Sequence, residues 1–142
     1  MKYSQSFQIN APIAAVWQIM ADVERYPDWA PTFEKAEFLG GKTLAEGLRV
    51  RLWVKGTPPS EFVVTEFTGG SRFAWETKAR GVHARADHLL EASAGGTRLT
   101  LTVDTSGFMA TLFAPMLKRV SVRNLALEGN ALKAQAEALV AA

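Results

Sequence analysis

The apolar positions along this chain change period twice. Tyr3, Phe7 and Ile9 alternate with Lys2, Ser4, Ser6 and Gln8, the pattern of a strand with one face buried. From Ala11 to Trp29 the spacing turns helical in two short pieces. Val16, Trp17 and Met20 share a face of the first, with Asn10 placed as its N-cap and Pro12 in its first turn. Asp22 is placed to cap the second, and Pro27 and Pro31 keep it brief.

Between Glu34 and Ser106 the period returns to two, interrupted at glycines and prolines. The segments Glu34–Leu39, Leu48–Lys55, Glu61–Thr68, Arg72–Arg80, Val82–Ser93 and Thr97–Thr105 each read as a strand. The links Gly56-Thr57-Pro58-Pro59, Gly69-Gly70-Ser71, Gly81 and Gly95-Gly96 are short enough to force antiparallel hairpins. From Met109 to about Val140 the spacing is helical again. Phe113, Met116, Val120 and Leu127 form one stripe, broadened by Leu117, Leu125, Leu132 and Leu139. A helix of about 30 residues runs roughly 45 Å and needs a broad apolar surface beneath it. Pro115 should bend it, having no N–H for the carbonyl of Thr111. The order predicts an α+β domain over residues 1–142: a seven-stranded antiparallel sheet curved around a long C-terminal helix, with two short helices after the first strand.

Composition adds mostly exclusions. The chain has 142 residues, 48% of them hydrophobic and 21% charged, with a net charge of +2. Its cationic stretches, Arg49–Lys55 and Lys78–Arg85, alternate with apolar residues, so they read as solvated strand faces, and no nucleic-acid partner is expected. There is no cysteine, which removes disulfides and thiolate sites and suits a cytoplasmic location. No leader and no membrane span are expected either; the Phe108–Leu117 run is short and broken by Pro115. "AEFLGGKT" ends like a phosphate-binding loop, but Ala36 stands where its first glycine belongs. There is no G-x-S-x-G elbow. His83 and His88, the only histidines, lie five apart and point to opposite faces of one strand, so no metal site and no cofactor is expected.

Three stretches carry a family resemblance: "INAPIAAVWQIMADVERYPDWAP", "HLLEASAGGTRLTLTV" and "GFMATLFAPMLKRV". Across essentially the whole length the chain resembles the START-like superfamily, also called the helix-grip or Bet-v-1-like fold, and within it the polyketide cyclase/dehydrase type. The resemblance implies a cavity between sheet and long helix, closed at one end by the two short helices. It implies several functions: carriage of lipids, hormones or quinones, co-chaperone or toxin-like binding of proteins, and aromatase/cyclase chemistry. "DVERYP" is similar to a stretch of ubiquinone-binding relatives. Tyr26 and Trp29 in "YPDWAP" would then sit at the cavity mouth, covering apolar space either as a core plug or as ligand contacts.

Strand parity names the wall. Leu48, Val50, Leu52, Phe73, Trp75, Leu99, Leu101 and Val103 face inward, joined by Val82, Ala84, Ala86, His88 and Leu90 of the strand between. Thr77 and His88 are the inward polar residues, while Ala84 and Ala86 leave space. With Trp29, Met109, Phe113 and Met116 bounding the other side, this is an apolar pocket with few polar groups, suited to a small hydrophobic molecule. A histidine in an apolar wall is expected to be neutral, serving either as a ligand anchor or as a structural residue bonded to a neighbour. The leading expectation is therefore binding of a small hydrophobic or aromatic metabolite (lipid-, polyketide- or quinone-like). The alternatives are a cyclase or dehydratase and a protein-interaction module.

Overall fold

The computed structural model describes residues 1–141. Strand β1 (Lys2–Ile9) leads into helix α1 (Ile13–Ala21), a 3-10 turn (Val23–Arg25) and helix α2 (Tyr26–Trp29). Six strands follow: β2 (Phe33–Leu39), β3 (Arg49–Val54), β4 (Ser60–Thr68), β5 (Arg72–Ala79), β6 (Val82–Ser93) and β7 (Gly96–Ser106). The chain ends in α3 (Phe108–Leu112) and the long α4 (Ala114–Ala141). The seven strands form one antiparallel sheet in the order β1-β7-β6-β5-β4-β3-β2. The meander runs in sequence order from β2 to β7, and β1 closes against β7. The architecture is the α+β sheet-and-helix arrangement that the hydrophobic periods predict.

Three local details differ from expectation. Pro12, in extended conformation, occupies the N-cap of α1. Asn10 lies outside that helix, and its backbone N–H donates to the Glu137 carboxylate at 2.8 Å. Asp22 does precede the 3-10 turn, but its side chain caps no N–H and instead pairs with Arg25 at 3.4 Å. The C-terminal helix is two helices. The break falls at Phe113 (φ −105°, ψ 25°), two residues before Pro115, which sits in the first turn of α4. A proline in a first turn sacrifices no hydrogen bond, so the chain interrupts the helix ahead of Pro115 rather than bending through it.

The face of α4 that meets the sheet is also not the one the largest residues suggest. Leu125, Gly129, Leu132 and Ala136 are buried. Gly129 sits so close to β1 that an added Cβ would fall 2.1 Å from Phe7 Cε1. Of the apolar face expected to meet the sheet, Leu125 and Leu132 are buried and Leu117 and Val120 line the gap beneath the helix, but Phe113, Met116 and Leu127 turn outward, with relative exposures of 44%, 57% and 36%. Small residues admit the closest backbone approach, yet they register weakly in a hydrophobic period, so the period of bulky side chains marks a face broader than the one that is buried.

The two short helices plug the opposite flank. Tyr26 is fully buried; its ring lies 5.0 Å from that of Trp29 and 5.2 Å from that of Phe33, and its hydroxyl donates to the Met20 carbonyl. Burial holds the phenol well above its ordinary pKa of 10.0, with the carboxylates of Glu128 and Asp22 adding to the effect.

Two predictions follow from this packing. Gly107, which starts α3, has φ 104° and ψ 162°, and an added Cβ would lie 2.4 Å from the Gly81 carbonyl oxygen. Gly107→Ala should therefore lose about 1–3 kcal/mol in urea denaturation; an unchanged midpoint would show that α3 is not held this way. For Tyr26, a phenol whose folded pKa is raised contributes stability below the unfolded value and loses it as pH rises beyond. Tyr26→Phe should cost about 1 kcal/mol at pH 7, and the deficit should shrink above pH 10.0. Urea midpoints of both proteins across that range check this, and a deficit that stays constant contradicts it.

Candidate functional site

The register of the central hairpins builds the site in rows. Phe73, His88 and Leu101 stand side by side on β5, β6 and β7; the next row is Trp75, Ala86 and Val103, and the next Thr77, Ala84 and Thr105. The first row is filled by two rings and a leucine. In the rows above it β6 supplies only methyl groups, and α4 does not descend to fill the gap. A cavity of about 320 Å³ results, walled by Leu52, Phe62, Trp75 and Val103 from the sheet and by Leu117, Val120 and Leu125 from α4. Thr57 and Pro58 of the β3–β4 turn and Arg80 of the β5–β6 turn stand at its exposed rim.

His88 forms part of the floor. It is 3% exposed, stacked on Phe73 at 4.1 Å and met edge-on by Trp75 at 5.3 Å. Its Nδ1 lies 3.3 Å from the Phe73 carbonyl oxygen and its Nε2 lies 3.5 Å from Oε1 of Glu128, which projects from α4 into the same cavity. Both ring nitrogens thus face oxygen. A neutral imidazole donates through only one nitrogen. A proton between His88 and Glu128, on either partner, satisfies the second. The wall around His88 is therefore not purely apolar, as expected from the strand alone.

Two further polar groups are unspent. The hydroxyls of Thr32 and Thr105 are buried on the cavity wall and find no hydrogen-bond partner among the described residues. A buried hydroxyl left unpaired costs about 1–3 kcal/mol. Thr77, by contrast, lines the cavity with its hydroxyl already donating to the Glu61 carbonyl at 2.8 Å.

Of the residues expected at the site, Leu52, Trp75, Thr77, His88 and Val103 come together on the cavity wall. Leu90 and Leu101 are buried, Leu101 in the floor row and Leu90 one row below it. The Tyr26 ring packs against those of Trp29 and Phe33, and neither Tyr26 nor Trp29 lines this cavity. Phe113 and Met116 point to solvent, and Met109 packs over Gly81. Phe113 and Met116 are corrected from cavity wall to outer surface, because the Gly129 contact sets the phase of α4 so that they face away from the sheet, and Met109 is corrected to a contact of α3 with the Gly81 turn.

Sequence reasoning missed Glu128, Asn124, Ser121, Thr32 and Thr105. Thr105 was one parity step beyond Val103. Glu128 had a signal too: it lies three residues after Leu125 and four before Leu132, on the buried face of α4. Elsewhere the charges are spent on the outer face of the sheet. Arg72 grips Asp87 with two hydrogen bonds, and Arg85 bridges Glu66 and Glu76, which also meets His83. These bonds hold the Glu76 carboxyl below the usual range, with the Thr65 hydroxyl contributing most. Among the described residues no group of three or more His, Asp or Glu is arranged to hold a metal, and no helix is long and apolar enough to cross a membrane.

The fold recurs widely among solved structures. The Zhui aromatase/cyclase from Streptomyces sp. R1128 is similar over 99% of this chain and 95% of its own, with TM-score 0.81 and 24% identity. A START superfamily protein from Mycobacterium smegmatis is similar over 97% of this chain and 98% of its own, with TM-score 0.81 and 17% identity. The di-domain ARO/CYC StfQ of the steffimycin biosynthetic pathway is similar over 99% of this chain and 52% of its own, with TM-score 0.81 and 11% identity. At such identities these likenesses show the fold. No curated protein matches the sequence. The model of the polyketide cyclase / dehydrase and lipid transport family matches residues 1–137, nearly the whole chain, and the protein belongs to that family.

Proposed function

We propose that this chain binds a small, mainly apolar molecule bearing a ring and one or two hydrogen-bonding groups, a polyketide-, quinone- or lipid-like metabolite, in the cavity between sheet and α4. One observation carries the reading: a largely apolar cavity holds buried His88 beside the partly buried Glu128 at its floor and two unpartnered hydroxyls, Thr32 and Thr105, on its walls. Burying a carboxylate and an imidazole together costs folding free energy that an apolar floor would not. A ligand with a hydroxyl or carbonyl at one end recovers part of that cost. The volume, at the low end of the roughly 300–1,000 Å³ usual for ligand pockets, selects a compact guest.

The same pair supports a second reading, a cyclase or dehydratase. Removing a proton beside a carbonyl and returning one to a departing hydroxyl needs a group that accepts and then donates at one position. His88 with Glu128 has that capacity, and the walls would hold a flexible chain folded so that its ends meet. The aromatase/cyclases named above share the fold that would present such a pair.

Binding is tested with 8-anilinonaphthalene-1-sulfonate. Ala86→Leu fills the cavity and should weaken dye binding at least about tenfold, about 1.4 kcal/mol, without loss of stability. Trp53→Ala, on the outer face beneath Lys35, should leave it unchanged. Equal effects at the two positions would place the dye elsewhere. Glu128→Gln separates the two readings: it should spare dye affinity and abolish any conversion of an aryl β-hydroxy ketone to its enone, followed by absorbance. Turnover equal in wild type and variant would remove the acid–base role.

A further inference from the structure

The outward face of α3 and the first half of α4 is the largest feature that the cavity does not explain. Phe108, Leu112 and Met116 are exposed by 75%, 67% and 57%. Along α4, Met116, Val120 and Leu127 alternate with Arg119 and Arg123 at helical spacing, so apolar and cationic side chains share one stripe. No acidic residue occurs from Thr105 to Leu127. Lys55 and Arg80 on the neighbouring turns and Lys78 at the end of β5 add to the positive rim: Lys55 beside Arg123 and Leu127, Lys78 and Arg80 beside Phe108. None of Lys55, Lys78, Arg80, Lys118, Arg119 or Arg123 has an ion-pair partner among the described residues, whereas Lys35, Arg49, Arg72 and Arg85 on the outer face of the sheet do.

We infer that this face docks the protein on an anionic phospholipid bilayer. Bulky apolar side chains flanked by uncompensated cations are what an interfacial surface needs: the former enter the headgroup boundary and the latter meet the lipid phosphates. A second copy of the chain is a poor occupant, because a two-fold interface would set the same cationic rim against itself. Position adds weight. Val120 and Arg80 belong both to this face and to the rim of the cavity, so docking turns the cavity mouth to the membrane. That purpose rests on the ligand-binding reading; the docking itself does not, and it is measured without a cavity ligand.

The experiment is co-sedimentation with vesicles of phosphatidylcholine alone or with about one-third phosphatidylglycerol. Wild type should sediment with the anionic vesicles and stay in solution with the neutral ones, and added salt should release it. Arg119→Glu/Arg123→Glu and, separately, Leu112→Ser/Met116→Ser should each weaken binding at least roughly tenfold. Both pairs lie outside the cavity, so 8-anilinonaphthalene-1-sulfonate binding should persist and report a folded protein. Wild type that ignores anionic vesicles, or either variant binding as wild type does, overturns the inference. Dimers in light scattering that both variants dissolve, without vesicle binding, would assign the face to a second copy and overturn it equally.

Discussion

Gly129 lets the C-terminal helix rest directly on the Phe7 ring of β1, and the rest of the molecule follows from that contact. A helix pinned at one place on a curved sheet cannot touch it everywhere. Toward its C-terminus α4 lies close, through Leu125, Leu132 and Ala136. Toward its N-terminus it rides above the rows of β5, β6 and β7, where Ala84 and Ala86 do not rise to meet it. The gap is the cavity. Protein interiors close such voids when they can, because each unfilled methylene forfeits dispersion and transfer energy. Here the sequence keeps small residues on the sheet beneath a helix that its glycine holds in place.

Polar groups in that gap are arranged at a cost. His88 stacks flat on Phe73 and its Nε2 lies 3.5 Å from the Glu128 carboxyl of the helix above, so a polar contact links the sheet and α4 across the cavity. An apolar pair of similar volume would hold the two layers together as well or better. The outer face of the sheet makes the contrast: Arg72, Arg85 and their carboxylates are saturated with one another and offer nothing to a ligand.

The sheet was legible in the sequence because a period of two, cut by glycines and prolines, has few other readings. Parity along β6 placed His88, Ala84 and Ala86 on the inner face for the same reason. The helix was harder. Bulky apolar residues occur on two sides of α4; Leu125 and Leu132 belong to the buried side, but its centre is marked by Gly129 and Ala136, which a search for hydrophobic stripes undervalues. Phe113 and Met116 were drawn inward by that error, and Glu128 was overlooked because an acidic residue reads as solvent-facing until the helix phase is known. Tyr26 and Trp29 show a different limit. Their aromatic character was plain, but whether they met a ligand or each other depended on where α2 docked, and no local pattern states that.

An outward stripe that is apolar and cationic, beside a mouth lined by Leu117 and Val120, gives the molecule a direction: floor in the sheet, opening toward the side that carries the uncompensated charge. The central claim is that the floor, and not the rim, recognises a guest. It is tested most directly by a crystal structure of the protein with 1-naphthol. The fused rings should lie between Trp75 and Val103, with the hydroxyl within hydrogen-bonding distance of His88 or Glu128. A naphthol absent from the cavity, or one turned so that its hydroxyl meets Thr57 or Arg80 at the rim, would contradict it.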